Sequence, residues 1–111
     1  MESILTSIKQ LLGLEEDYDC FDNDIILHIN SVLANLNQLG VGPKEGFFIE
    51  DSSATWEDFI PNSPKLNQVK TLIYLRVKLL FDPPTNSSLL TALNTHASEL
   101  EWRLNVAAES T

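Results

Sequence analysis

The stretch EEDYDCFDND, Glu15 to Asp24, gathers carboxylates around a lone thiol and is the first place in this 111-residue chain where chemistry could reside. Acidic side chains at alternate positions are what a hard cation asks of a loop, so calcium binding is the natural test. Counting from Asp17, carboxylates fall at the first and third positions. Asp22, however, occupies the sixth, which needs Gly, and His28 the twelfth, which needs Glu. The run therefore reads as a solvated connection whose acids cap the helix that follows. Cys20 has no cation beside it in sequence and reads as an unactivated thiol; as the only cysteine it leaves no disulfide partner and no CxxC pair. His28 and His96 fall close to apolar helical stripes, where a boundary residue is expected rather than a base or ligand. The serines stand in neither a G-x-S-x-G nor an S-x-x-K setting. These residues point away from an enzyme, and they call for no cofactor or metal.

Composition narrows the choice further. Hydrophobic residues make up 43% of the chain, enough for a core, and the length suits a single domain over residues 1–111. A domain this small leaves much of its surface wet, so it gains from assembly. Sixteen acidic residues against 7 basic ones give a formal charge of −9. That balance argues against a surface that grips phosphate backbones, which works by Lys and Arg displacing counterions, and no sequence-specific nucleic-acid binding is expected. The first residues, MESILTSIKQ, lack the basic segment and apolar run of a signal peptide, and Arg76 and Lys78 interrupt the best candidate for a membrane span. Synthesis in a reducing cytoplasm, away from membranes, is the expectation.

Apolar spacing then lays out the elements that must position any functional residue. Ile4, Leu5, Ile8, Leu11 and Leu12 predict a helix over about 3–12, with Gly13 as its stop. A second helix is expected over about 23–39, capped by Asp22 or Asn23, with Ile25, Ile26, Ile29, Val32, Leu33, Leu36 and Leu39 inward and Gly40 ending it. Its outer face is unusual, because no Asp, Glu, Lys or Arg occurs from Ile25 to Pro43 and amides such as Asn30, Asn35 and Gln38 supply the polarity. An ordinary solvated face would account for this; so would a surface kept free of charge for another subunit. Residues 40–63 form a long loop in which Phe47, Phe48 and Ile49 suit a short extended piece. Within it Thr55 to Ile60 (TWEDFI) suits one helical turn that places Trp56 and Phe59 on the same side. These rings are expected to fold back as a lid on the bundle, with a partner site as the alternative.

Ser63 followed by Pro64 predicts a helix start, and the third long helix runs over about 64–81 with Leu66, Val69, Ile73, Val77 and Leu80 on one stripe. Leu72, Leu75 and Leu79 widen that stripe until the helix belongs in the middle of a bundle. Asp82, Pro83 and Pro84 form a hard stop, because a residue before proline is pushed off helical angles and proline cannot continue the backbone bonding. A last helix over about 86–106, capped by Thr85 or Asn86, places Leu89, Leu90, Leu93, Ala97, Leu100 and Leu104 inward, with Glu99 and Arg103 spaced for an ion pair. The expected fold is all-α, a small four-helix bundle-like domain with an aromatic loop between its second and third helices.

Four segments in this order are familiar together: HINSVLANLNQLGVGP (His28 to Pro43), TWEDFI, VKTLIYLRVKLLFDPP (Val69 to Pro84) and ELEWRLN (Glu99 to Asn105). Over most of its length the chain resembles the small head–tail connector (head-completion or adaptor) proteins of long-tailed bacteriophages, particularly those of Gram-positive hosts. The LLFDPP turn before a Trp-containing last helix is the most specific part. The resemblance implies a helical virion protein at the head–tail interface that binds beneath the portal in a ring, usually of twelve copies. It implies a ring that extends the DNA channel, helps retain the packaged genome and presents a platform for the stopper or tail. It implies no catalysis and no cofactor. On that reading Glu101, Trp102 and Arg103 are candidates for a portal-facing surface, with packing of Trp102 on the third helix as the alternative. Phe47, Phe48, Trp56 and Phe59, with Asn30, Asn35 and Gln38, are candidates for contacts between subunits. A rival of another class is a small acidic phage-encoded regulator, an inhibitor or DNA mimic bound to one host target. Acids that gather in Glu15–Asp24 and Glu45–Asp58, rather than on one face, count against it.

Overall fold

A computed structural model describes residues 2–60 and 64–109, side chains to 107. Its helices are α1 (Ile4–Leu11), α2 (Asp22–Gln38), the single turn α3 (Trp56–Phe59), α4 (Leu66–Phe81) and α5 (Ser87–Glu109). No strand occurs among the described residues, and the fold is all-α, with α3 as a fifth helix inside the loop.

Most helix ends follow local chemistry. Ser3 caps α1, its hydroxyl accepting from the Thr6 amide at 3.2 Å. Gly40 closes α2 in the left-handed region (φ +86°), with its own N–H on the Asn37 carbonyl and the Val41 N–H on the Leu36 carbonyl. This pair of bonds satisfies carbonyls that a helix end leaves open, and it turns Val41 inward beside Leu36. Gly13 closes α1 through the equivalent bonds to Gln10 and Lys9. At the other end of the chain Asp82 leaves the helix (φ −147°, ψ 67°) and Asn86 caps α5, its Oδ1 accepting from the Leu89 amide at 3.0 Å.

Two starts differ from expectation. Neither Asp22 nor Asn23 caps α2: the residue at that position is Phe21, with no side-chain bond, because the Asp22 carboxylate is turned toward Lys9 of α1. Helix α4 begins at Leu66 after Lys65, again with no side-chain cap, and Pro64 stands in the turn before it; Ser63, the expected cap, lies outside the described residues.

Helix α4 is central and packs on α1, α2 and α5. Phe21 at the start of α2 meets Phe81 at the end of α4, so these two helices run antiparallel, and the Asp82-Pro83-Pro84 turn makes α5 antiparallel to α4. The result is a flat body of 39 × 36 × 20 Å, about two helix diameters thick. The core takes Ile25, Ile29, Val32, Leu33 and Leu36 from α2, Val69, Leu72, Ile73, Leu75 and Val77 from α4, and Ala97, Leu100 and Leu104 from α5. Leu80 and Leu89, expected inward, are 54% and 50% exposed, because they flank the turn at the end of the hairpin where no described element covers them.

The long loop is the remaining wall of the core. Val41, Ile49, Trp56 and Phe59 are buried, and the expected lid is formed by Trp56 and Phe59. No extended strand forms at Phe47–Ile49; the one bridge in this region is antiparallel and joins Ser3 to Thr55. Across it Ile4 N–H donates to the Ala54 carbonyl (3.0 Å) and Trp56 N–H to that of Glu2 (3.2 Å). A capping box at Thr55 and Asp58 then winds the α3 turn. Trp56 Nε1 donates to Ser7 Oγ (3.1 Å), and Lys70, paired with Glu2 at 2.6 Å, stands over the indole ring.

Gly42 has no room for a side chain, since a Cβ there would stand 2.4 Å from the Phe59 ring at φ +89°, whereas at Gly13 nothing lies within 4 Å. Gly13→Ala should therefore cost about 1 kcal/mol from backbone strain alone, and Gly42→Ala about 1–3 kcal/mol more, read from urea midpoints. The Lys70 ammonium, bonded to Glu2, holds that carboxyl below its ordinary range. A depressed carboxyl contributes stability above its unfolded pKa and loses it as pH falls through the folded value. Glu2 is exposed, so Glu2→Gln should cost at most about 0.5 kcal/mol at pH 7 and progressively less as pH falls through the folded value, seen as converging denaturation curves.

Candidate functional site

The acidic connection, read as a solvated linker, is pinned from beneath. Lys9 is only 2% exposed, and its ammonium donates to the Glu16 carbonyl at 2.9 Å. It stands 2.9 Å from Asp22 Oδ1, as an ion pair without an aligned hydrogen bond. A cleft of about 600 Å³ opens above it, lined by Leu5, Thr6, Glu15, Glu16, Asp17 and Ser52. No three His, Cys, Asp or Glu side chains converge to hold a metal among the described residues. Cys20 is exposed, and its contact with the Tyr18 hydroxyl raises that phenol above its ordinary range. His28 is half-buried on α2 and His96 exposed on α5.

The amides of α2 divide into two sets. Asn30 faces the loop: its Nδ2 donates to the Ile49 carbonyl (3.0 Å) and its Oδ1 accepts from the Ile49 amide (2.7 Å). Asn37, seven residues on, donates to the Pro43 carbonyl (2.9 Å). These two amides stitch residues 43–49 along the helix. Asn35 and Gln38 face outward with Ser31 and Ala34, and Leu27 joins them at 63% exposure. The Asn30–Ile49 clip also holds Phe48 on the flank of α2, 65% exposed.

On α5 the expected Glu99–Arg103 pair does not form among the described residues. Glu101 instead takes the Arg76 guanidinium of α4, with Arg76 Nε at 2.6 Å from Oε1 and a second contact through Nη2. Trp102, the next residue, is turned away from α4 and is 66% exposed, and Val106, one helical turn on, is 41% exposed. Arg103 is exposed. At the hairpin turn Asp82 pairs with Lys78 at 3.0 Å, Pro83 is exposed and Pro84 half-buried.

The residues expected to contact partners thus separate. Trp56 and Phe59 are buried in the chain's own core, Phe47 is half-buried on Phe59 with ring centroids 5.2 Å apart, Asn30 is occupied by the loop and Glu101 by Arg76. As exposed contacts, Trp56, Phe59 and Asn30 are corrected. Asn35, Gln38, Phe48, Trp102 and Arg103 remain on the surface, and Leu27 and Val106 join them. Leu27 had a visible signal, since it is a leucine off the apolar stripe of α2. Val106 had one in its spacing of four from Trp102.

Two of the chain's exposed surfaces, the outer side of α2 with Phe48 and the Trp102 side of α5, are built largely on uncharged or aromatic side chains. The model of the phage connector protein family matches residues 4–111. The chain belongs to that family. No curated protein and no solved structure matches it. Membership makes it a structural phage connector, a component of the virion that associates with other head and tail proteins. None of its described helices is long and apolar enough to cross a membrane.

Replacing Asn30 by Ala leaves the Ile49 N–H and carbonyl without their partner in a buried setting. The expected cost is about 2–3 kcal/mol in urea denaturation, with faster amide exchange at Ile49, while Asn35→Ala should fall within about 0.5 kcal/mol of the parent.

Proposed function

We propose that this connector is made in the host cytoplasm and forms a closed ring beneath the portal, at the head–tail interface of the virion. There it extends the DNA channel, helps retain the packaged genome, and presents a platform for the stopper or tail-completion protein. The family match over residues 4–111 carries this reading. A flat body of 39 × 36 × 20 Å with exposed surfaces on different helices supports it, since a ring subunit needs a different face for each neighbour.

Each copy carries a formal −9, so close contact between copies favours surfaces where like charges do not meet. The outer face of α2, with Leu27, Asn35 and Gln38, and the adjoining Phe48 serve for subunit contact. Trp102, Arg103 and Val106 on α5 face the portal. Acids turned toward the channel give it a negative potential along which DNA slides without adhering. DNA passes through and is not read, and the protein carries out no catalytic step and uses no cofactor.

Electron microscopy of the purified protein mixed with the portal encoded near its gene should show rings or capped portals. A chain that stays monomeric, ignores the portal and captures one host protein would instead support the regulatory reading and overturn this one. Phe48→Ala and Trp102→Ala remove exposed rings and should leave stability within about 0.5 kcal/mol. Each should nevertheless weaken assembly or portal binding by about tenfold or more, as truncation of an aromatic anchor does.

A further inference from the structure

A third exposed surface lies at the closed end of the α4–α5 hairpin, at the opposite end of α5 from Trp102. Tyr18 and Phe21 of the acidic connection and Phe81 of α4 form a row of edge-on rings, with centroids 5.8 Å and 5.3 Å apart. Tyr18 is 44% and Phe21 39% exposed, and Leu80 beside Phe81 is 54% exposed. The row thus leaves three large apolar side chains exposed at one end of the fold.

What borders it is mostly acidic. Asp17 and Asp19 flank Tyr18, Asp24 follows Phe21 within the first turn of α2, and Asp82 follows Phe81; all four are exposed. From Leu14 to Asp24 the sequence holds no Lys or Arg. Of the nearby cations, Lys9 is buried against Asp22 and Lys78 is paired with Asp82.

We propose that this acid-rimmed aromatic row docks an apolar helical segment of another protein whose flanks carry Lys or Arg. The size fits: three rings linked through Phe21 reach over at most about 11 Å, about two turns of a partner helix presenting apolar side chains at i, i+3 or i+4 and i+7. The charge selects the partner. A second copy meeting it rim to rim would bring like charge against the first, and a nucleic acid or an anionic lipid surface would be repelled for the same reason. Only a basic rim is complemented. The docking surface is separate from the ones assigned above to subunit and portal contact, and it does not depend on ring formation.

The test uses the full chain, labelled with nitrogen-15, and three synthetic helical peptides of equal length as probes. One has a leucine face flanked by lysines, one a leucine face flanked by glutamates, and one a serine face flanked by lysines. Only the leucine–lysine peptide should bind, moving the amide resonances of residues 17–24 and 80–82. Tyr18→Ala with Phe21→Ala should weaken it about tenfold or more, and Asp17→Asn with Asp19→Asn and Asp24→Asn severalfold, with a shallower salt dependence. Tyr18→Ala alone, at an exposed connection residue, gives the same reading if the double variant does not fold. Equal binding of either control peptide, or resonance changes confined to other surfaces, would overturn the proposal. So would a dimer of the chain by itself, dispersed by Tyr18→Ala, which would assign the row to a second copy.

Discussion

The burial of Trp56, with its indole N–H on Ser7, is the interaction on which the rest of the structure depends. A chain this small has one core, and a quarter of its length lies between α2 and α4 in a connection that would otherwise cover nothing. Trp56 turns that connection into a wall. The indole N–H needs an acceptor once the ring is dry, and Ser7 provides it while donating its own proton to the Ser3 carbonyl at 2.6 Å. Ser3 in turn caps α1 and bridges to Thr55. One buried ring thereby fixes the start of α1, the entry to α3 and, through the Lys70 ammonium above it, one side of α4. Truncating a buried Trp costs about 3–5 kcal/mol, a large part of the roughly 5–15 kcal/mol that holds a domain together.

The amides of α2 complete what Trp56 begins, and they show how one helix serves two surfaces. Asn30 and Asn37 lie seven residues apart, two turns, and so share a side of the helix; both bond backbone of the loop. An amide suits this task because it offers a donor and an acceptor in one plane, which a carboxylate or an ammonium does not. The uncharged character of α2 therefore has a structural cause on the loop side. On the outward side, where Ser31, Ala34, Asn35 and Gln38 stand exposed, no such bond to the loop accounts for it among the described residues. The absence of charge there is a property of the surface itself.

Much of this was legible in the sequence because the signals were local. Gly13 and Gly40 marked stops, Asp82-Pro83-Pro84 marked the hairpin, and the period of apolar residues marked which side of each long helix faces in. Trp56 and Phe59 were legible as a pair for the same reason. The signals that failed depend on partners distant in sequence. A local rule offers Asp22 to its own helix as a cap, but the buried Lys9 ammonium claims it, and desolvating that charge without a partner would cost more than an unmade cap. Spacing offers Arg103 to Glu99, while Glu101 finds Arg76 across the helix interface. Periodicity identified the stripes of α4 and α5 but not where they end, so Leu80 and Leu89 were assigned to a core that stops short of the turn.

The orientation of α5 follows from two constraints of different kind. The proline turn sets where the helix begins, since Asp82 cannot stay helical before Pro83 and Asn86 recaps the chain four residues later. A turn alone leaves the helix free to roll about its own axis. Burial of Ala97, Leu100 and Leu104 removes that freedom, and the Arg76–Glu101 ion pair, in which the guanidinium meets the carboxylate through two nitrogens, reinforces the same orientation. Successive residues on a helix are rotated by about 100°, so holding Glu101 against α4 turns Trp102 outward. The exposure of Trp102 is in this sense a consequence of the buried stripe and the ion pair beside it. A contact surface built this way is presented in a fixed direction before any partner arrives, which lowers the ordering cost of binding.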